Sequence, residues 1–166
     1  MERVTSKDGT EIAFDRIGAG PPVIFVGGAF SWRGWKGFVE LAELLASRFT
    51  VLNYDRRGRG DSGDTKPYTV ERECEDLEAM ISVAGRPAFV WGVSSGGTLA
   101  LEAARSGIAL ERIAAYEPSF IVDAAEGLPP DDFVRHVGQL IDRGQRSQAV
   151  KYFMARVMGI PAAIRC

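Results

Sequence analysis

The sequence predicts an α/β fold, a mostly parallel sheet covered by helices on both faces as a three-layer α/β/α sandwich. Three observations carry that prediction. Strand-like apolar runs alternate with amphipathic, helix-like stretches through residues 22–118. The run Pro22–Val26 lacks the in–out alternation of a half-exposed strand, as expected of a strand buried on both faces, and Phe49–Tyr54 reads as the next buried strand. The strand ends then empty into glycine-rich or charged segments on one rim, where open parallel sheets place their sites.

In chain order, Val4-Thr5 and Thr10–Arg16 flank Asp8-Gly9, a turn dipeptide, and read as an opening β-hairpin. Pro22–Val26 is the first buried strand and runs into Gly27-Gly28-Ala29-Phe30. Apolar residues at 38, 41, 42, 45 and 46 form a helical stripe. Phe49–Tyr54 is the next buried strand, followed by the glycine-punctuated loop Asp55–Gly63. Thr69 is placed to cap a helix over 70–83, whose first turn is rich in glutamate. Ile113–Tyr116 is a strand halted by Pro118.

Between Phe89-Val90-Trp91, which is strand-like, and Thr98–Arg105, which is helix-like, lies Gly92-Val-Ser94-Ser-Gly96. A serine on so sharp a strand-to-helix turn has its hydroxyl pushed out at the end of the sheet. Glycines two residues away on each side keep neighbouring turns from clashing. The N–H of Ser95 opens the helix and can face a developing oxyanion. A glycine-rich turn that merely packs helix on sheet is the competing structural reading.

Beyond Pro118 the composition changes. Residues 123–132 are acidic and carry prolines, the signature of a linker. Asp131–Arg143 places Phe133, Val134, Val137, Leu140 and Ile141 on one helical face, and Arg146–Met158 does so with Ala149, Val150, Phe153 and Val157. The division expected is a core over 1–122 and a helical cap or lid segment over 123–166.

With 166 residues, 46% of them hydrophobic, the chain can bury a proper core. A net charge of −2 without a basic block argues against nucleic acid or an anionic membrane surface as partner. The charged opening Met1–Asp8 and the lack of an 18-residue apolar run predict neither signal peptide nor membrane span. The two cysteines, Cys74 and Cys166, have neither metal nor disulfide-framework spacing, which predicts reduced thiols and a cytoplasmic protein. No metal-ligand cluster and no Gly-x-Gly-x-x-Gly after the first parallel strand are present, so no cofactor is expected.

Taken together, the motifs resemble those of the α/β-hydrolases. Tyr54-Asp-Arg-Arg-Gly-Arg-Gly-Asp-Ser62 is similar to that family's Asp-x-Arg-Gly-x-Gly-x-Ser loop, Gly92–Gly96 to its nucleophile elbow, and Tyr116-Glu-Pro118 to the end of its sixth strand. Val26–Phe30 sits where the family carries a His-Gly-x oxyanion loop, with Gly27 in place of the histidine. The resemblance implies a cap inserted after the sixth strand and a serine esterase-like chemistry. Ser94 would attack a small carboxylic ester to form an acyl-enzyme, and the N–H groups of Ala29 and Ser95 would hold the oxyanion.

The family's acid and histidine follow later strands, and this sequence stops within the segment read as the cap. The chain therefore resembles the amino-terminal part of such a protein. Its own candidates are Glu117 as acid and His136, the single histidine, as base. They fit the order Ser…Glu…His, though His136 lies on a helix beside an apolar stripe, where a structural role is the usual one. Asp55 and Arg57 read as loop-holding residues. Phe30, Trp32 and Trp35 are candidates for an acyl pocket, with core packing the alternative. The second functional reading is a catalytically inactive fragment or remnant that needs or binds a second chain. An open edge on the last strand would also favour homo-oligomers.

Overall fold

The computed structural model describes residues 1–85, 87–123 and 128–160. Six strands form one sheet: β1 (Glu2–Thr5), β2 (Glu11–Ile17), β3 (Pro22–Val26), β4 (Thr50–Tyr54), β5 (Phe89–Val93) and β6 (Arg112–Tyr116). Their order across the sheet is β1-β2-β4-β3-β5-β6. The β1–β2 and β2–β4 pairs are antiparallel, whereas β3–β4, β3–β5 and β5–β6 are parallel. Gly9 closes the opening hairpin at φ 87°, and the Ser6 and Thr10 backbones bond across it.

Helices cover both faces, and β3 shows how one strand serves two layers. Val23 and Phe25 join Ala42 and Val51 in a cluster under α1 (Lys36–Leu45). Ile24 and Val26 point the other way, into the larger cluster with Leu77 and Met80 of α2 (Val70–Ala84) and Leu99, Ala100 and Ala103 of α3 (Ser95–Arg105). Successive side chains alternate across a strand, so a strand buried on both faces reads as a near-continuous apolar run. All five residues of β3 are buried.

The boundaries follow local chemistry. Thr69 caps α2 by accepting the Arg72 N–H at 3.3 Å, and Gly85 ends that helix at φ 70°. The helix after Ser94 begins at Ser95, three residues before the Ala/Leu-rich stretch that announced it, because the serine turn itself starts the helical hydrogen bonding.

Because β4 and β5 flank β3 on opposite sides, the chain reverses its direction of travel across the sheet at β3. The crevice at the carboxyl ends of β3 and β5 is the position where such sheets bind ligands.

The chain divides into two compact units, Met1–Phe120 and Ile121–Cys166. The second holds α4 (Phe133–Asp142) and α5 (Arg146–Arg156), joined by a turn at Gly144, φ 73°. Phe133 stacks on Tyr152 at 5.6 Å between ring centres, and Leu140 and Ala149 are buried. Val134 and Ile141, expected on the apolar face with Phe133, are instead exposed. Part of the acidic linker and Cys166 lie outside the described residues. No helix among the described residues is long and apolar enough to cross a membrane.

Candidate active site

Ser94 stands between the end of β5 and the start of α3 at φ 53°, ψ −126°, a conformation that few L-residues adopt. Its surroundings hold it there. Its N–H donates to the Tyr116 carbonyl at 2.9 Å, and its own carbonyl accepts the N–H groups of Gly97 at 2.9 Å and Thr98 at 3.2 Å. A Cβ on Gly92 would lie 2.5 Å from the Gly96 carbonyl oxygen, and one on Gly96 would lie 2.1 Å from that of Val26. Only glycine fits at either position, so the spacing around Ser94 is a steric requirement of the turn.

The loop after β3 forms the facing wall. A Cβ on Gly28 would lie 3.3 Å from the Val93 oxygen and 3.4 Å from Ser94 Cβ, so the loop backbone rests directly against the elbow. Ala29, Phe30, Ser31 and Trp32 line a recess of about 440 Å³ with Arg59 and Gly60. Phe30 and Trp32 are about half exposed there. Trp35 goes elsewhere, packing edge-on against Phe38, which in turn contacts Trp91 at 5.4 Å. Of the three aromatics proposed from sequence as pocket residues, the structure brings Phe30 and Trp32 together and assigns Trp35 to the aromatic cluster at α1.

The loop after β4 carries a set of buried ion pairs, of which Arg56 touches both walls through Gly27 and Ser95. Asp55, fully buried, accepts the N–H of Arg33 at 2.7 Å and of Asp61 at 3.0 Å, and it pairs with the Arg33 guanidinium. Arg57 bonds Asp76 at 2.7 and 2.8 Å and Asp8 at 2.9 Å. The Arg57 hydrogen bond holds the Asp8 carboxyl far below the usual carboxylate range, whereas burial pushes Asp76 upward against the same arginine. Arg56 grips Glu73 with Nε and Nη2. Burial disfavours the charged form of Glu73, but the hydrogen bonds from Arg56 and Tyr68 outweigh it and keep the carboxyl below its ordinary value. Gly58 and Gly60 turn this loop at φ 72° and 51°, and a Cβ on Gly60 would strike the Asp55 carboxylate.

Sequence reasoning passed over Arg33, Arg56 and Arg59. A signal existed: Glu73 and Asp76 sit three apart on one face of α2, and buried acids at that spacing call for cations. Ser119 was also missed, and its Oγ lies 3.0 Å from Ser94 Oγ. No local pattern announces it.

Glu117 follows β6 at φ 46°, the second non-glycine residue with positive φ among those described. The β5–β6 register pairs Val93 with Tyr116, which sets Glu117 level with Ser94 on the same rim. His136 belongs to the other unit, on α4, where its ring packs 4.4 Å from that of Tyr152. Among the described residues no group of three His, Cys, Asp or Glu is placed to hold a metal ion.

This arrangement can present a serine hydroxyl at a helix N-terminus beside a glycine loop, which suits attack on a carbonyl carbon. Comparison with known proteins identifies the fold and the family. An alpha/beta hydrolase from Sphaerobacter thermophilus superposes with a TM-score of 0.91 at 52% identity, over 98% of this chain and 63% of its own. The uncharacterized hydrolase YraK of Bacillus subtilis is 32% identical over 98 residues, which is 57% of this chain and 35% of YraK. A thermophilic esterase from Thermogutta terrifontis shares the fold, with a TM-score of 0.75 at 24% identity over 93% of this chain and 58% of that one. The chain thus spans roughly a third of the curated relative and under two thirds of the solved ones. Residues 23–163 match the Alpha/beta hydrolase family over most of the sequence, from the first buried strand through both helices of the second unit, and the chain belongs to that family.

Proposed function

We propose that the chain carries the nucleophile and oxyanion hole of a serine hydrolase acting on small carboxylic esters. The observation that carries this reading is the backbone of Ser94, held at φ 53° at the mouth of the switch-point crevice with its hydroxyl at the start of α3. Strained conformations of this kind persist where the surrounding structure enforces them, and they gather at functional sites.

On this reading Ser94 Oγ attacks the ester carbonyl carbon as its proton passes to a base. The carbonyl oxygen becomes an oxyanion that accepts the N–H groups of Ala29 and Ser95. Collapse expels the alcohol, which takes the proton from the base, and leaves an acyl group on Ser94. Water, deprotonated by the same base, then releases the acid. Glu117 is the candidate acid, at the right strand end. His136 is the candidate base within these 166 residues, and the family resemblance implies a histidine from further polypeptide as the other source. Phe30 and Trp32 would line the acyl or alcohol pocket, with no cofactor taking part.

The second reading, an inactive chain that needs or binds another, draws support from β6. Among the described residues that strand has β5 as its single neighbour, and four of its five residues are exposed.

One experiment separates the readings. The purified chain is assayed for p-nitrophenyl acetate turnover and for labelling by a fluorophosphonate probe, with Ser94→Ala as control. Turnover lost in Ser94→Ala, His136→Ala and Glu117→Gln alike would establish a triad within the chain. Labelling that depends on Ser94 with near-background turnover would mark a nucleophile that lacks its base. Neither labelling nor turnover would favour the second reading.

A further inference from the structure

We propose that Arg59 and Arg56 are positioning residues for the oxyanion hole, setting the peptide planes of the loop after β3 through hydrogen bonds to its carbonyls. This rests on the reading of Ala29 and Ser95 as oxyanion donors, and it goes beyond that reading by identifying what aims them.

The argument starts from peptide planarity. In a trans peptide the C=O and the following N–H point in opposite directions, so fixing one aims the other. Arg59 Nη1 donates to the Gly28 carbonyl at 2.6 Å, and Ser31 Oγ donates to the same oxygen at 3.1 Å. That carbonyl belongs to the peptide whose N–H is on Ala29. With its oxygen turned toward Arg59, the Ala29 N–H must face away from Arg59. Arg56 does the same one peptide earlier, its Nη1 donating to the Gly27 carbonyl at 2.9 Å.

The same Arg56 nitrogen donates to Ser95 Oγ at 3.0 Å. One guanidinium therefore reaches both walls: the glycine loop and the residue whose N–H is the second oxyanion donor. Arg56 is itself held, since its remaining nitrogens bind Glu73, which also accepts the Tyr68 hydroxyl. Glycine at 27 and 28 needs such support, because glycine backbones are the most costly to order. A hydrogen bond from a buried cation is stronger than a neutral one. Burial disfavours the charge on Arg59, and Arg56 disfavours it further, so this arginine is kept where charge is expensive.

The test uses the whole 166-residue chain, labelled with 15N. Arg59→Met removes the donor, and Arg59→Lys restores a cationic donor without the guanidinium plane. Arg56 is paired with Glu73, so it is probed as the double variant R56M/E73M, which leaves no buried carboxylate alone. In the wild type the Ala29 amide should be as ordered as the sheet, with an order parameter near about 0.85. In Arg59→Met it should fall toward about 0.6, with shift changes confined to residues 27–32 and the thermal midpoint within about 2 °C. Arg59→Lys should recover part of the order. R56M/E73M should move the Ser95 amide as well as the loop.

Where Ser94-dependent ester turnover is present, Arg59→Met should lower kcat about 10²-fold with KM within about twofold, as the loss of an oxyanion donor does. An Ala29 amide equally ordered in wild type and Arg59→Met would overturn the proposal. So would a fall in thermal midpoint with shift changes across the sheet that Arg59→Lys does not repair, since that marks scaffolding alone. Absence of Ser94-dependent turnover in the wild type would count against the hydrolase reading, and the amide order would still decide what the arginines do.

Discussion

The backbone N–H of Ser94 donates to the Tyr116 carbonyl at 2.9 Å, which locks the elbow to the end of β6. That single bond extends the parallel β5–β6 ladder one residue past Val93, sets Glu117 on the same rim and leaves Ser119 within hydrogen-bond reach of the serine. If Glu117 serves a catalytic base, Glu117→Gln should reduce kcat for p-nitrophenyl acetate by about 10²-fold or more while the fold is retained, since the residue is exposed. Ser119→Ala should change kcat by less than about tenfold, because a neighbouring hydroxyl can orient Ser94 but cannot take its proton at neutral pH. Steady-state kinetics on the two variants checks both.

Gly96→Ala should be among the most damaging conservative changes in the chain. The added Cβ would lie 2.1 Å from the Val26 carbonyl oxygen, a backbone atom with no freedom to give way. The expected cost is about 3 kcal/mol or more. Gly138→Ala is the control, on α4 with nothing near the new methyl, and should be neutral or slightly stabilising. Denaturant unfolding of both variants measures the difference.

Acid should weaken the Arg57 cluster through Asp8. Its folded-state pKa is depressed below the ordinary 3.8, so the ion pair contributes in full above that value and is lost as pH falls through the folded value. Asp76 works in the opposite sense. Its folded pKa is raised, so its charged form costs stability that is regained as pH falls toward its ordinary range. Asp8→Asn should therefore destabilise the chain by about 2 kcal/mol at pH 7 and by progressively less below about pH 4. Chemical unfolding at a series of pH values checks the sign.

Among the described residues β6 is paired on one side, and its other side should make the chain associate. Beside it, Phe49, Phe89, Trp91, Ile113 and Ala114 line an apolar recess of about 430 Å³. An unpaired parallel strand beside exposed apolar surface invites pairing with a second copy. Sedimentation velocity should show concentration-dependent self-association that Ala114→Lys, which places a charge on the exposed edge, reduces. A concentration-independent monomer would count against it.

Cys74 should behave as an inert core thiol. Burial pushes its pKa up to about 11, so little thiolate forms at neutral pH. Iodoacetamide at pH 8 should leave it unmodified in the native chain and alkylate it in about 6 M guanidinium, as peptide mass mapping would read.

Local patterns carried most of what this sequence determined by itself. The unbroken apolar run at 22–26 required a strand buried on both faces. Glycines at 92 and 96 around a serine required the sharp turn, since a side chain at either would meet backbone. Both signals reside within a few residues, where steric rules act. Tertiary structure decided the pairings across long stretches of chain. Arg56 finds Gly27 and Ser95, 29 and 39 residues away, and Ser119 finds Ser94 across 25. Those choices depend on β3 lying between β4 and β5, which brings loops distant in sequence to one rim. Trp35 shows the same limit: its sequence neighbours Phe30 and Trp32 line the recess, while it packs on Phe38, because the start of α1 turns it toward the sheet face instead.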